Sequence, residues 1–352
     1  ALLSSTASAD YPLDSVAESL SNQGEAYDLS DSILGDESAW DFGGWVAAGV
    51  SSAQDGLFFD FNGFQLTQGW MYVEKSMDTA DGFDWGLRVD AMAGTDADDT
   101  QSFGNDFNHF DFGDDTTWGQ NYGLAAPQAY VELGYKDFSI KGGKFYTPVG
   151  YEVVTAPDNF FFSHAMTMFN SEPFTHTGFL ATYSGIENVT VMAGWSAGWD
   201  TGFDQVNGGS NFLGGVSFQL LENTSLTYTT TAGNLGAIGD EGYTHSFVLD
   251  TQITENLNYV IQSDYTDIED NDTRTSETIG VNQYLVYTVN DFVGLGTRVE
   301  WWQSQSTDYY AATVGANFQL LPNLKARPEF RYVFSPDVTN GVNPNVAGLP
   351  VD

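Results

Sequence analysis

Charged residues of both signs recur two positions apart along several segments of this 352-residue sequence. The sets with this spacing are Arg88 and Asp90, Arg298 and Glu300, and Arg327, Glu329 and Arg331. Residues i and i+2 of a β-strand point to the same face of a sheet, so each set would place opposite charges side by side on one face. Such a surface suits water, ions and polar solutes better than a hydrophobic core.

Residues suited to catalysis are scarce. The chain has four histidines and no cysteine, and His164 and His176 share one segment without a third metal ligand beside them. No glycine-rich phosphate loop precedes a helix, and the sequence alone does not assemble the Ser–His or Asp–His pair of a membrane hydrolase. We therefore expect that the protein is not an enzyme.

Acidic residues cluster in the segment 94–126, where Asp96, Asp98 and Asp99 offer the oxygen ligands that suit Ca²⁺. These three are weak candidates, because neither an EF-hand pattern nor a nonapeptide repeat is present. A solvated acidic loop is the favoured alternative. The sequence thus predicts no cofactor, apart from this suggestion of Ca²⁺ at acidic loops.

The overall charge balance excludes several classes of protein. The chain contains 48 acidic and 10 basic residues, a formal net charge of −38, yet 15% of its residues are aromatic and 38 are glycine. A nucleic-acid-binding protein needs a basic face, which so few cations cannot supply. The aromatic content argues against disorder, and no apolar run reaches the roughly 18 residues of a transmembrane helix. Composition favours a β-protein.

Apolar and polar residues alternate with a period of two in segments of about ten residues, long enough to cross a bilayer as tilted strands. In residues 83–93, for example, Trp85 and Leu87 alternate with Arg88 and Asp90. The fifteen segments of this kind are 41–51, 64–75, 83–93, 127–136, 138–147, 177–185, 188–198, 210–221, 223–232, 244–254, 256–266, 278–289, 292–303, 310–321 and 323–334.

Short links alternate with longer polar links between these segments. The short links lie at 136–137, 184–188, 221–224, 254–256, 290–291 and 321–323, and the longer ones at 52–63, 94–126, 148–176, 199–209, 233–243, 267–277 and 304–309. This alternation is typical of an up-and-down meander. The predicted fold is all-β: a transmembrane antiparallel up-and-down β-barrel of about 16 strands (alternative 14), with short periplasmic turns and long extracellular loops.

The polar positions of the strands carry half of the basic residues, which suggests a wet interior. A barrel of this size is too wide for side chains to fill, so charged residues can line water inside it. The predicted basic residues of the pore wall are Arg88, Lys141, Arg298, Arg327 and Arg331, and the acidic ones are Asp90, Glu132, Glu300 and Glu329. Solvent-facing charges on an open sheet are the alternative.

Aromatic residues in or beside the strands suggest the interfacial girdles of a membrane barrel. The residues concerned are Trp45, Trp70, Trp85, Trp195, Trp199, Trp301, Trp302 and Tyr332. Outside the strands, residues 1–38 are expected to form an N-terminal extension on the periplasmic side, helical in part near Pro12, with a mobile tail as the alternative. The barrel is assigned to residues 39–352. Bacterial barrels usually have an even number of strands, so either a weak sixteenth strand lies near 340–350 or the sequence stops before it.

Several stretches resemble one known family. Residues 141–152 (KGGKFYTPVGYE), 156–160 (APDNF) and 172–178 (EPFTHTG) are similar to the putative beta-barrel porin-2 (OmpL-like) family. Shorter stretches over most of residues 41–334 look like the same family, among them 64–68, 83–90, 127–130 and 198–204. The resemblance implies an outer-membrane β-barrel that passes small solutes.

The link 148–176 is the predicted constriction loop. Its segment 160–169 is too apolar for an exposed loop tip, and by analogy with general porins it would fold into the lumen. Glu152, Asp158, His164 and Glu172 would then face the basic wall across the passage, where opposed charges create a transverse field. The alternative is a loop that packs at a subunit contact and never meets the pore.

The leading hypothesis is a porin in the outer membrane of a diderm bacterium, through which small hydrophilic solutes and ions diffuse passively. The charge of −38 predicts a weak preference for cations. Expected partners are outer-membrane lipid, the solutes and two further copies in a homotrimer, and no nucleic acid. The alternatives are a structural or adhesive surface barrel with a plugged pore and acidic loops, and a soluble acid-rich β-protein from a saline habitat.

Overall fold

Strands dominate the part of the chain that the computed structural model describes, which comprises residues 28–35, 38–52, 63–103 and 122–336. They are β1 (Trp40–Ser51), β2 (Gly63–Lys75), β3 (Phe83–Gly94), β4 (Gly123–Ala125), β5 (Ala129–Tyr135), β6 (Phe138–Tyr146), β7 (Thr175–Ile186), β8 (Val189–Trp199), β9 (Ser210–Leu221), β10 (Thr224–Asn234), β11 (Glu241–Thr254), β12 (Leu257–Asp270), β13 (Thr273–Asn290), β14 (Val293–Ser304), β15 (Thr307–Leu321), β16 (Leu324–Ala326) and β17 (Glu329–Phe334). The helices are α1 (Leu29–Leu34), α2 (Asp96–Thr100) and α3 (Met166–Ser171), with one 3₁₀ turn at Ala156–Asp158. None of these helices is long and apolar enough to span a membrane.

The seventeen strands form one antiparallel meander, in which successive strands pair along the chain except at two interruptions. Two strands are interrupted: β4 and β5 both pair with β3, and β16 and β17 both pair with β15. If each interrupted strand is counted once, the sheet has fifteen strands across its width. They coincide with the fifteen segments that alternate in the sequence. The predicted all-β, up-and-down barrel fold is confirmed.

Tight turns join neighbouring strands on one side of the sheet, as predicted. Two residues separate β5 from β6, β7 from β8, β9 from β10, β11 from β12, β13 from β14 and β15 from β16. Lys136 and Asn188 adopt left-handed backbone angles in the first two of these turns, with φ of 53° and 62°. Asparagine tolerates this conformation better than most residues, because its short polar side chain bonds to the local backbone.

On the opposite side, the predicted loops at 267–277 and 304–309 are wrong. Strands β12 and β13 continue to a two-residue turn at Asn271 and Asp272, and β14 and β15 meet at Gln305 and Ser306. All four of these residues have positive φ, the geometry of a type I′ hairpin turn. Ion pairs explain why polar residues here remain strand: Arg274 contacts Asp267 at 2.8 Å across the hairpin.

The two faces of the sheet differ in chemistry. The outer face exposes large apolar side chains, such as Val46 at 77%, Met71 at 73% and Phe64 at 67% of their surface. The inner face buries polar ones, including Gln65, Asp90 and Arg298. A continuous exposed apolar surface of this kind is unfavourable in water and suits the lipid-facing side of a membrane barrel.

The aromatic girdle prediction is wrong for half of its residues. Trp70, Trp199 and Trp302 are at most 4% exposed, and Trp45 stacks on Trp70 with ring centroids 4.7 Å apart. They point inward. Trp45, Trp70 and Trp302 pack beneath a loop that crosses the inner face, and Trp199 packs against Leu235 and Ile268. Trp85, by contrast, is 39% exposed on the outer face. Successive residues of a strand point to opposite faces of the sheet. This alternation places Trp70 on the inner face and Trp85 on the outer face.

The edges of the sheet, β1 and β17, are not paired with each other within the described residues. Because the count across the sheet is fifteen, an odd number, β1 and β17 run in the same direction. Antiparallel closure therefore requires one more strand between them. A cavity of about 2130 Å³ lies at this seam and is lined by both edges. The predicted sixteenth strand near 340–350 lies outside the described residues. So does the predicted helix near Pro12, while α1 lies beside β1 through a 2.7 Å bond from Ser30 Oγ to Asp41.

Candidate functional site: the loop on the inner face

The connection between β6 and β7, residues 147–174, runs along the inner face and contacts strands around most of the sheet. From β6 it reaches Gln68 on β2, whose side chain donates to Val154 O at 2.7 Å and accepts from Ala156 N at 3.1 Å. It continues past β17, β14, β13 and β12 and returns to β7. A loop can reach all these strands of one meander only if the sheet curls around it.

Arg298 on β14 is the centre of the loop contacts. Its side chain is fully buried and donates from all five guanidinium N–H groups. The acceptors are Glu300 Oε1 and Glu152 Oε1 at 2.8 Å each, Ser163 O at 2.7 Å, Ser163 Oγ at 3.0 Å and His164 O at 3.1 Å. Burying an arginine is favourable only when every donor is used, as here. Arg298 thereby fixes the middle of the loop to the wall.

Acidic wall residues bind the backbone amides of the loop. Glu329 on β17 accepts from Phe162 N at 2.9 Å and Ser163 N at 3.1 Å. Glu300 accepts from Met166 N at 2.7 Å, at the first turn of α3. Hydrogen bonds to a charged acceptor are stronger than neutral ones, so these carboxylates hold the loop rather than face open water.

Basic wall residues bind the loop carbonyls in the same way. Arg327, between β16 and β17, donates to Ala156 O at 2.6 Å and Asn159 O at 3.0 Å. Arg331 on β17 donates to His164 O and lies 3.4 Å from Glu300 Oε2. The predicted wall residues on β14 to β17 are thus brought together, with the loop as their common partner.

Glu152 lies in direct contact with the wall, which corrects the expected open gap. Its carboxylate accepts from Arg298 at 2.8 Å, His164 Nδ1 at 3.1 Å, Ala165 N at 2.8 Å and Tyr284 Oη at 3.0 Å. Burial alone would raise the pKa of Glu152, but Arg298 and His164 outweigh it and lower the pKa to about 2. The group is therefore a buried anion. Since the loop packs directly on the wall, no water-filled space separates the two charges.

Glycines on the inner face make room for the aromatic part of the loop. The ring of Phe160 lies over Gly294 and Gly296 of β14, and the ring of Phe161 lies over Gly315 of β15. A Cβ atom at Gly296 would collide with the Phe160 ring. Glycine inside a strand often marks such a close approach. Glycine at inward strand positions is therefore the sequence signal that could have indicated where the loop packs.

The second half of the loop is held by two residues that the sequence did not single out, Asp200 and Gln262. Asp200, just after β8, accepts from Phe174 N and Thr175 N at 2.8 Å each, and burial raises its pKa to about 6. Gln262 on β12 donates to Glu172 Oε1 at 2.6 Å. Burial, and then the nearby Asp264 carboxylate, raise the pKa of Glu172 well above its usual value.

A second set of predicted wall residues lies on β3, β5 and β6. Arg88 Nε donates to Asp90 at 2.6 Å, and the guanidinium stacks 4.1 Å from the ring centre of Tyr72. Glu132 and Lys141 are directly opposite each other in the β5–β6 register. Arg88, Glu132 and Lys141 remain partly exposed, unlike Arg298.

The remaining predicted site residues have other surroundings. Asp158 is exposed at the 3₁₀ turn, and His164 is 3% exposed. Asp96 begins α2 and accepts from Gln68 Nε2 at 2.8 Å. Asp99 is partly buried, and the side chain of Asp98 lies outside the described part. Within the residues that the structure describes, no three His, Cys, Asp or Glu side chains gather around a common point.

One serine and one histidine do meet on the inner face. Residues 194–198 (GWSAG) match the Gly-x-Ser-x-Gly spacing of hydrolases, but they lie inside β8 rather than at a strand-to-helix turn. Ser196 Oγ is 3.2 Å from His176 Nδ1 and donates to Asn211 Oδ1 at 2.7 Å. Both side chains are fully buried. Their contacts bind neighbouring strands and leave no access for a substrate.

Comparison with known proteins agrees with this architecture. A family model described as "Putative beta-barrel porin-2, OmpL-like" matches residues 40–348. The structure is similar to an anion-selective porin from Comamonas acidovorans (TM-score 0.57, 10% identity, 84% of this chain and 89% of that one). It is also similar to OmpT, an outer membrane protein of Vibrio cholerae in its trimer form (TM-score 0.55, 10% identity, 84% and 88%). No curated protein matches the sequence.

Proposed function

The chain belongs to the putative beta-barrel porin-2 (OmpL-like) family of outer-membrane porins, and from this premise we propose that it is a diffusion channel for small hydrophilic solutes and ions with a weak preference for cations. Residues 39–352 form the barrel, and the 147–174 loop narrows its lumen. Residues 1–38 form an extension on the periplasmic side.

The observation that carries the proposal is the anchored loop. Its contacts with Arg298, Glu300 and Glu329 hold it against the inner face, so it occupies part of the cross-section at all times. Its exposed residues are Tyr151, Val153, Pro157 and Asp158. These side chains, rather than the buried Glu152 and Glu172, are the ones that a passing solute would meet.

The preference for cations follows from how the basic residues are used. Arg298 is buried in ion pairs, and Arg327 and Arg331 are bonded to the loop. Arg88 is compensated by Glu74 and Asp90. Because these wall cations are paired with acids or covered by the loop, the net charge of −38 concentrates cations at the mouths of the pore. The selectivity named for the Comamonas porin does not transfer at 10% identity.

The partly exposed charges on β2 to β6 are the proposed pore wall. Lys141 lies 4.3 Å from the ring centre of Tyr130, and Glu132 is its register partner. Arg88, Glu132 and Lys141 therefore present fixed charges of both signs. Fixed charges that face each other in a narrow passage order water and favour polar solutes.

Planar bilayers test the proposal directly. The purified protein should give stepwise conductance, and a KCl gradient should give a reversal potential of the sign for modest cation selectivity. Asp158→Asn should reduce the selectivity, because Asp158 is an exposed charge of the loop. Asp240→Asn, at an exposed position between β10 and β11, is the matched control. A protein that inserts but never conducts in any salt would refute the channel.

We also propose a homotrimer, supported by the apolar outer face and by the trimer form named for the Vibrio cholerae neighbour. A C3 assembly would bury part of the outer face of each barrel against its neighbour. Mass measurement in detergent checks this: a mass of three chains supports it, and a single chain at all detergent concentrations refutes it.

A plugged surface barrel is the second candidate, and the reach of the loop is what favours it. Contacts from Gln68 on β2 to Thr266 on β12 span much of the inner face. If the loop closes the pore, the intact protein should insert into planar bilayers without conducting in any salt. Conductance through the intact protein would exclude this candidate.

A further inference from the structure

Buried oxygen atoms gather where the second half of the loop meets β11, β12 and β13. Ser246 and Asp264 are register partners on β11 and β12, and Gln262 and Asn282 are register partners on β12 and β13. Thr167 of the loop accepts a bond from Asn282, and its methyl group fills the space above Gly280, the β13 partner of Asp264. The register thus brings these side chains to one place.

Two carboxylates in this group face each other without a basic partner. Gln262 Nε2 donates to Glu172 Oε1 and to Asp264 Oδ2 at 2.6 Å each, so one amide bridges both acids. Glu172 is 6% exposed and Asp264 is 1% exposed. Within the described residues neither acid has a salt bridge, unlike Glu152. Two buried anions side by side are unfavourable unless something positive joins them.

Unused oxygens in the same group point to what joins them. Asp264 Oδ1 and Asn282 Oδ1 are buried and have no hydrogen-bond partner within the described residues. They lie on the adjacent strands β12 and β13 and project from the inner face. Buried oxygens that accept no hydrogen bond are rare in native proteins. A cation is a partner that several such oxygens can coordinate at once.

We propose that Glu172 and Asp264, with Asn282 and Thr167, form a binding site for a hard divalent cation of the Ca²⁺ type. The available ligand atoms are all oxygens and include both carboxylates, the ligand type that Ca²⁺ prefers. No sulfur or imidazole belongs to the group, which disfavours Zn²⁺. The charge of the ion neutralises the two carboxylates.

The site would act as a second anchor for the loop. Glu172 and Thr167 lie in the loop, whereas Asp264 and Asn282 lie on the barrel wall, so a shared cation would cross-link the two. Arg298 anchors the middle of the loop by permanent charges, and this site would anchor residues 167–172 only when the ion is bound. The inference concerns binding and does not depend on whether the barrel conducts.

Thermal unfolding of the detergent-solubilised protein tests it at pH 8. Ca²⁺ should raise the Tm by roughly 5 °C over EGTA, the size expected for a ligand at a hundredfold excess over its Kd. The double variant Glu172→Gln with Asp264→Asn should lose this response and gain Tm in EGTA, because its repulsion is gone. The matched control is Glu269→Gln with Asp270→Asn at the end of the same strand β12, and it should keep the response.

Terbium luminescence locates the ion. Trp302 donates to Ser171 Oγ at 3.0 Å and lies beside Gly280, so it should sensitise Tb³⁺ bound at this site. Trp302→Phe and the Glu172/Asp264 double variant should each remove most of the Ca²⁺-displaceable emission, and the Glu269/Asp270 control should retain it. The proposal is overturned if Ca²⁺ has the same effect on the double variant. It is also overturned if acidification alone raises the Tm and Ca²⁺ has no effect, because a shared proton would then join the acids.

Discussion

Two nearly identical tripeptides on the inner face have different surroundings. Arg88-Val89-Asp90 on β3 and Arg298-Val299-Glu300 on β14 both place an arginine two positions before an acid. The Arg88 side chain is 16% exposed and stacks on Tyr72. The Arg298 side chain is fully buried and bonded through every N–H group. The difference is the 147–174 loop, which covers β14 and binds its charges.

This comparison separates two uses of the same local motif. Arg298 and Glu300 both bond to backbone or side-chain groups of the loop, so their charges contribute to structure. Around Arg88, the arginine and Glu74 side chains are 16% and 32% exposed, while Asp90 is buried, so Arg88 and Glu74 contribute to the electrostatic potential of the lumen. Substitutions in the first group should therefore affect stability most, and those in the second should affect selectivity.

The largest effect is expected from Arg298→Met, which leaves Glu152 and Glu300 as buried anions. Loss of one partner from a buried ion pair typically costs about 3–5 kcal/mol, and the freed loop should make single-channel currents noisy. Unfolding in urea measures the loss. Arg274→Met is the control, because Arg274 also pairs with two acids but its side chain is 48% exposed. Equal losses in both variants would contradict the distinction.

Acid should weaken the Arg298 region in a defined range of pH. The pKa of Glu152 is lowered in the folded protein to about 2 from 4.5, so its stabilisation is present above pH 4.5 and is lost as the pH falls through 2. The contribution is on the order of 3 kcal/mol. The unfolding midpoint between pH 7 and pH 2 should fall more steeply for the wild type than for Glu152→Gln. Parallel curves would refute the assignment.

A smaller effect is expected from adding a side chain at Gly296, over which the Phe160 ring packs. Gly296→Val would overlap the ring and should cost about 1–3 kcal/mol, the usual range for overpacking. The displaced loop should also change the single-channel conductance. Gly142→Val on β6 is the matched control, because a Cβ at Gly142 meets nothing within 4 Å. If both glycine variants behave alike, Phe160 does not hold the loop.

The smallest change in stability is expected from Arg88→Gln. Asp90 is buried but keeps bonds from Trp70 Nε1 at 3.1 Å and Gln128 Nε2 at 3.2 Å, so it is not left without donors when Arg88 is replaced. Removing one basic charge should instead raise the permeability ratio of K⁺ to Cl⁻, measured as a reversal potential. A large fall in stability with unchanged selectivity would show that Arg88 acts like Arg298.

The strands could be predicted because their signals are local. Alternation within each segment and turn residues such as Asn188 depend only on neighbours in sequence. The hairpin around Asn271 was missed for a related reason: Asp267, Arg274 and Glu277 make both of its faces polar, so the period of two disappears. What supports a strand there is an ion pair across the hairpin.

The loop contacts could be predicted only in part. The apolar segment 160–169 indicated burial, and Glu152 and Arg298 were assigned to one site, yet their 2.8 Å contact depends on how far the loop reaches. Asp264 and Asp200 carried no signal, because a single acid at an inward position looks the same whether water or a loop covers it. Such pairings join residues from 25 to 146 positions apart and arise only from the folded sheet.

The seam between β1 and β17 has a consequence for biogenesis. Along the cavity of about 2130 Å³, both edges carry backbone N–H and C=O groups, and hydrocarbon offers these groups no partner. A sheet with such an opening is therefore unstable in the bilayer core while its edges are unmatched. Completion of the ring must accompany or precede full insertion into the bilayer.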